Sequence, residues 1–214
     1  MRIERLGERA AIVRQLPCEP YLVARRLNDS AALPLIEAVA SYETLGLYFD
    51  SYVEDISTLE STVASAIAIG QTDHSERLVQ IPVCYELGED LASCARRLEI
   101  DSESLINLHL GRQYRCFAVG FSPGFGYLGY LDDSLSLPRL PSPRKRVEPG
   151  SVGITGRQTA VYPSATPGGW NLIGRSPVEL VNVEDCYFPL EAGDQVAFFR
   201  IDEAEFARLK GERL

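Results

Sequence analysis

Eleven of the 17 glycines in this chain stand between Gly111 and Gly174, and the one tryptophan, Trp170, stands among them. The core of that stretch reads GFSPGFGYLGYLDDSLSLPRLPSPRKRVEPGSVGITGRQTAVYPSATPGGWNLIGRS over residues 120–176. Glycine takes backbone conformations that other residues cannot, and proline fixes φ and removes a donor, so no long helix can run through it. What remains is a set of short strands divided by tight turns. The runs VGITG, TAVYP, WNLIG, VELVN and VAFFR fit that reading, and the C-terminal half is expected to be all-β with many turns. The stretch is also locally basic. Eight Lys or Arg and three acids between Arg112 and Arg175 give +5 in a chain whose net charge is -9. Loops stiffened in this way are where sites usually sit, and a local cationic patch can hold a small anion or an acidic surface.

Outside this stretch the patterns alternate. Arg2–Leu6 and Ala10–Leu16 read as strands around a Gly7-Glu8 turn. Pro20–Asn28 reads as a helix begun by proline, and Asp29 or Ser30 is placed to cap a second helix running towards Tyr42. Leu45–Phe49 is a short buried strand. Ser57 and Glu60 match a capping box ahead of Leu59, Val63, Ala66 and Ile67, with Gly70 as the stop. A polar break over 71–76 contains His74, expected to be solvated. Arg77–Tyr85 reads as a strand which Pro82 confines to an edge or a bulge. Helices follow over 89–98 and 102–110, the second capped by Asp101 and ended by Gly111, then a strand over 114–121. A short helix covers 202–210. The expected division is an α+β N-terminal domain, 1–84, and a larger β-rich domain, 85–214.

Several chemistries are excluded at this level. A pI near 4.8 argues against nucleic acid as a partner. The charged N-terminus is not read as a signal peptide, and no run of about 18 apolar residues suggests a membrane span. Five cysteines without CxxC spacing suit a reducing cytoplasm, as small buried hydrophobes. Two histidines exclude a His-rich metal site, and no metal is assigned. Gly124-Phe125-Gly126-Tyr127-Leu128-Gly129 matches GxGxxG, but a dinucleotide site needs a helix immediately afterwards. Pro138, Pro141 and Pro143 forbid one, so these residues read as a tight loop packing Phe125, Tyr127 and Tyr130. No Walker motif, GxSxG elbow or HExxH is present.

The remaining candidates each carry two readings. Arg139, Arg144 and Arg146 form either a carboxylate clamp, given the fixed bidentate donors of arginine, or a solvated loop. The prolines between them stiffen the loop and favour the clamp. His109, near a helix end, is either a buried hydrogen-bonded histidine or a general base. Gln158 and Thr159 either present polar groups at a strand end or pair in a turn. Trp170, after Gly168-Gly169, is a core anchor or a contact hot spot.

Read together, these loops resemble a known family. IPVCY (81–85), LINLH (105–109), GFSPGFGYLGYLD (120–132), LPRLPSPRKRVEPGSVGITGRQTAVYP (137–163) and TPGGWNLIGRSP (166–177) are similar to the family called KipI, allophanate hydrolase subunit 1 or the 5-oxoprolinase B-type subunit (PxpB). The resemblance implies a small α+β N-terminal domain followed by a cyclophilin-like β-barrel. It implies a subunit of an ATP-dependent 5-oxoprolinase that opens 5-oxo-L-proline to L-glutamate together with a KipA/PxpC-like and a LamB/PxpA-like subunit, and that is inactive alone. It also admits a KipI-like inhibitor of a sporulation sensor histidine kinase, or a carboxyltransferase-type component acting on urea or allophanate. The matching positions imply a partner or pocket face of Pro123, Gly124, Phe125, Gly168, Gly169 and Trp170. Substrate contacts would come from Arg139, Arg144, Arg146, Gln158 and Thr159, with His109, Gln158 and Ser151 as catalytic candidates. ATP is used by the complex.

Overall fold

The structure, a computed structural model, describes residues 1–30, 35–52, 56–68 and 77–214. The chain divides into two compact units, Met1–Glu76 and Arg77–Leu214. The first holds β1 (Arg2–Arg5), β2 (Ala10–Arg14), α1 (Pro20–Asp29), β3 (Leu35–Ser41), β4 (Thr44–Phe49) and α2 (Ile56–Ala68). Its four strands form an antiparallel sheet in the order β1-β2-β4-β3. Proline begins α1, whose buried face carries Val23, Ala24 and Leu27. The side chain of Asn28 then satisfies the outer edge of the sheet. Its Oδ1 accepts from the N–H of Ala38 at 2.7 Å and its Nδ2 donates to the C=O of Ala38 at 2.9 Å, as a neighbouring strand would.

That edge strand, β3, replaces the helix expected towards Tyr42. LIEAVAS has no strong helical stripe, and its Ala38 and Ala40 alternate inwards beside Leu45 and Leu47 of β4. Cross-strand pairing overrides the helical preference of alanine. Ser57 lies inside α2, which begins at Ile56, and so does not act as its N-cap. The Gly70 stop, the polar break over 71–76 and His74 lie outside the described residues.

The second unit holds β5 (Leu78–Val83), α3 (Leu91–Arg97), α4 (Ser102–Leu110), β6 (Gln113–Val119), β7 (Gly126–Gly129), β8 (Arg144–Val147), β9 (Ser151–Thr155), β10 (Gln158–Val161), β11 (Thr166–Gly168), β12 (Asn171–Arg175), β13 (Gln195–Arg200) and α5 (Glu203–Arg208). Seven of these strands form one sheet, ordered β12-β9-β10-β7-β6-β13-β5, while β8 and β11 pair separately. The sheet curls until its two edges meet. Just beyond β5, Cys84 exchanges hydrogen bonds of 2.8 and 2.9 Å with Arg175 at the end of β12. The result is a nearly closed barrel, consistent with the cyclophilin-like expectation.

Pro82 sits on an edge strand, as its missing N–H requires. Because β5 pairs in parallel with β13, the strand over 78–83 belongs to the second unit. The division therefore falls at Glu76/Arg77 rather than after residue 84. Residues 126–129 form β7 and only a single 3-10 turn, Asp133–Leu135, follows, so the GxGxxG reading fails in the structure as it does in sequence. VELVN forms no strand; within it only Glu179 and Asn182 make isolated bridges.

The barrel interior is filled by Ile81, Leu105, Tyr114, Leu128, Ile154 and Val196, among others, all essentially inaccessible. Each such side chain contributes roughly 1.5–3 kcal/mol. Glycines allow two close approaches. A methyl carbon on Gly88 would fall 2.3 Å from the Ile173 carbonyl, and one on Gly150, at φ +81°, would fall 2.1 Å from the Ser176 oxygen.

Candidate functional site

A second, smaller apolar cluster stands apart from the barrel core. It is built from Phe125, Val147, Ala160, Tyr162, Trp170 and Leu172, with Tyr127 packed against it. Phe125 is its hub. Its ring meets Tyr162 at 5.2 Å, Trp170 at 5.6 Å and Phe121 at 5.4 Å between centroids, all edge-on. Edge-to-face pairs of this kind are each worth about 0.5–1.5 kcal/mol beyond burial. The glycines of the loop make the arrangement possible. Gly168 brings its backbone against the Tyr162 hydroxyl, where a methyl carbon would approach to 2.5 Å, and Gly153 lies beneath Trp170.

These aromatic walls open into a cavity of about 280 Å³. Phe125, Gly168, Gly169 and Trp170 line it, and so does Arg139, the one charged residue among the lining positions. Among the described residues no carboxylate pairs with Arg139, which is exposed. Phe121 stands at the cavity rim, 65% exposed and at φ +72°. An aromatic residue held in the left-handed region is a genuine backbone outlier, of the kind that clusters at ligand sites. Burial raises the Tyr162 phenol above its ordinary value, so it stays protonated at neutral pH.

The structure separates the three arginines. Arg144 gives two hydrogen bonds to the Asp90 carboxylate, at 2.7 and 2.8 Å, with Glu89 also 3.3 Å away. Asp90 further accepts from the N–H of Leu172 at 2.7 Å, so this carboxylate ties the start of α3 to both β8 and β12. Asp90 consequently makes no side-chain cap for α3. Arg146 pairs at the surface with Glu148. The expected three-arginine clamp reduces to Arg139, because protein carboxylates already engage the other two.

The polar candidates lie elsewhere too. His109 is fully buried, its ring stacked 4.6 Å from Phe198. Its Nδ1 is 2.7 Å from the Tyr85 hydroxyl and its Nε2 is 3.0 Å from Thr159 Oγ1. Thr159 Oγ1 also lies 3.1 Å from the Gly153 carbonyl, to which it donates its single hydrogen. This network assigns the proton to Nε2 and makes Nδ1 the acceptor for Tyr85. Burial lowers the His109 pKa to about 3. A neutral histidine sealed from solvent, with both nitrogens engaged, fits the structural alternative and not a general base. Thr159 is buried with it, and Ser151 is buried on β9. Gln158 is half-buried opposite Gly129 and Thr155. Pro123 is exposed, and Gly124 packs its backbone, at φ +75°, against Val181 and Leu180. None of these lines the cavity.

Sequence reasoning missed Tyr162 and Phe121. Tyr162 follows the strand TAV and is buried like the three residues before it, six residues before the glycine it needs. Phe121 carries no signal beyond its place between a strand and a Ser-Pro-Gly turn. Among the described residues no group of three His, Cys, Asp or Glu side chains could hold a metal ion, and no helix is long and apolar enough to cross a membrane.

A barrel closed by one bridge, with an aromatic cavity beside it, belongs to a defined class. The chain is a member of the family described as the carboxyltransferase domain, subdomains C and D, whose model matches residues 1–187. Among its relatives is the B-type subunit of the 5-oxoprolinase of Bacillus subtilis (strain 168), 34% identical over 234 residues that span 99% of this chain and 97% of that one. The corresponding 5-oxoprolinase subunit of Escherichia coli O157:H7 is 44% identical over 125 residues, 57% of each protein. The crystal structure of TTHA0988 superposes with a TM-score of 0.81 at 33% identity, over 91% of this chain and 40% of that longer one. The kinship carried by the loop motifs is thereby shown.

Proposed function

We propose that this chain is the B-type subunit of an ATP-hydrolysing 5-oxoprolinase. The observation that carries this reading is the end-to-end relationship to the B-type subunit of the Bacillus subtilis 5-oxoprolinase, 99% of one chain against 97% of the other. The complex adds water across the ring amide of 5-oxo-L-proline to give L-glutamate. A resonance-stabilised lactam opens slowly at neutral pH, and ATP assists by turning the amide oxygen into a phosphate leaving group. A KipA/PxpC-like and a LamB/PxpA-like subunit complete the assembly, which works in the cytoplasm.

The cavity lining of aromatics, Gly and Pro with one cation offers no cradle for a triphosphate, so we place the nucleotide on another subunit, and the aromatic cavity is what this chain contributes. The test is reconstitution: the purified chain with its two partner subunits, ATP and 5-oxoproline, followed by glutamate release. Glutamate formed only when this chain is present supports the reading. An assembled complex that makes none overturns it, and the next assay is then inhibition of a sensor histidine kinase.

A further inference from the structure

We infer that the aromatic cavity is the receptor for a small cyclic monocarboxylate, with Arg139 taking the carboxylate and the Tyr162 hydroxyl donating to the ring carbonyl. This rests on the 5-oxoprolinase reading for the identity of the ring, but the chemistry of the walls is independent of it.

Three features fix the class of ligand. The first is charge. Arg139 is the one charged residue among the lining positions and, among the described residues, no carboxylate neutralises it, while Arg144 and Arg146 are both engaged by protein carboxylates. One uncompensated guanidinium selects one anionic group, which its fork can hold with two parallel hydrogen bonds. The second is shape. Phe125, Tyr127 and Trp170 pack edge-on or tilted against one another and together form an apolar wall of the cavity against which a ring can lie. The third is size. The cavity, about 280 Å³, has room for a five-membered lactam acid.

Tyr162 supplies direction. Tyr162 lines the cavity, and its hydroxyl, protonated at neutral pH, has a hydrogen to offer a ligand. A carbonyl oxygen is the complementary acceptor. A donor aimed at a lactam oxygen stabilises negative charge that gathers there, and so Tyr162 does more than bind. Phe121, at the rim and half in solvent, covers the ring once it is seated.

Trp170 is the chain's one tryptophan and it forms a wall of the cavity, so its fluorescence reports occupancy directly. The full chain is titrated with 5-oxo-L-proline and with 2-pyrrolidone, which has the ring and carbonyl but no carboxylate. The expected result is a saturable change with 5-oxoproline, weakened at least tenfold in Arg139→Gln and partly restored in Arg139→Lys, with 2-pyrrolidone indifferent to both variants. In the assembled complex, Arg139→Gln is expected to raise KM for 5-oxoproline at least tenfold with a smaller change in kcat, and Tyr162→Phe to lower kcat. A complex that turns over 5-oxoproline with KM unchanged in Arg139→Gln overturns this inference and leaves the subunit assignment standing. A wild-type complex that makes no glutamate overturns the subunit assignment alone. The cavity is then judged by fluorescence, where quenching by cyclic monocarboxylates that vanishes in Arg139→Gln sustains it and no quenching ends it.

Discussion

Replacing Asp90 by alanine should destabilise the barrel unit well beyond an ordinary surface change. Asp90 accepts two hydrogen bonds from Arg144 and one from the Leu172 N–H, while its own N–H donates to the Leu172 carbonyl at 2.7 Å. The two side chains are 14% and 22% exposed, so the pair is neither solvated nor fully buried. Removing one partner of a buried pair costs about 3–5 kcal/mol. Partial exposure and the nearby Glu89 reduce this, so about 2–3 kcal/mol is expected. For a unit of about 140 residues the unfolding entropy is about 0.3 kcal/mol/K, so Tm should fall by roughly 7–10 °C. Thermal and urea unfolding of Asp90→Ala, Arg144→Met and the double variant check this, with a coupling of about 1–2 kcal/mol expected from the cycle. An Asp90→Ala variant that melts within about 2 °C of the parent would refute the reasoning. So would an Arg144→Met variant that keeps its Tm while substrate affinity collapses, since that makes Arg144 a ligand-binding residue after all.

Other outcomes follow from single environments. Gly150→Ala places a methyl carbon 2.1 Å from the Ser176 oxygen at a positive φ and should cost at least about 3 kcal/mol, visible as lost soluble yield or a broad melt. His109, with its folded pKa near 3 against an ordinary 6.5, binds its proton only when the chain unfolds. Its contribution to stability is therefore complete above pH 6.5 and declines as pH falls towards 3, by about 1.4 kcal/mol per pH unit. Unfolding free energies from urea titrations at pH 7 and pH 5 should differ by about 2 kcal/mol more in the parent than in His109→Gln. Among the cysteines, burial pushes Cys94 to about 11 and Cys116 to about 12, whereas Cys186 is exposed. A thiol reagent at pH 8 should label Cys186 first, and Cys84, Cys94 and Cys116 only after unfolding.

Much of this fold is written in local signals. Pro20 begins α1, Asp101 caps α4 through the Ser104 N–H at 2.7 Å, and Pro82 marks an edge. These are legible because each depends on one or two neighbouring residues. The strand at Leu35–Ser41 is not, because its identity comes from pairing with β4 and from the Asn28 side chain on Ala38. The site divides along the same line. The glycines and aromatics of the loop are visible as a pattern, and Arg139 with them. That Asp90, 54 residues earlier, removes Arg144 from the site is a tertiary fact. So is the enclosure of His109 between Tyr85, Thr159 and Phe198.

The place of β5 in the barrel has a consequence for how the chain is made. Arg77 and Asp194, which pair beside the junction of β5 and β13, are 117 residues apart. At a synthesis rate of about 5–20 residues per second, the apolar segment LVQIPV leaves the ribosome roughly 6–25 s before the strand that receives it. The other neighbour of that segment, the end of β12, also arrives late. During that interval a hydrophobic strand with free edges is exposed while everything it needs is still being translated. Co-expression of holding factors that bind nascent chains is therefore expected to raise the soluble yield of this protein.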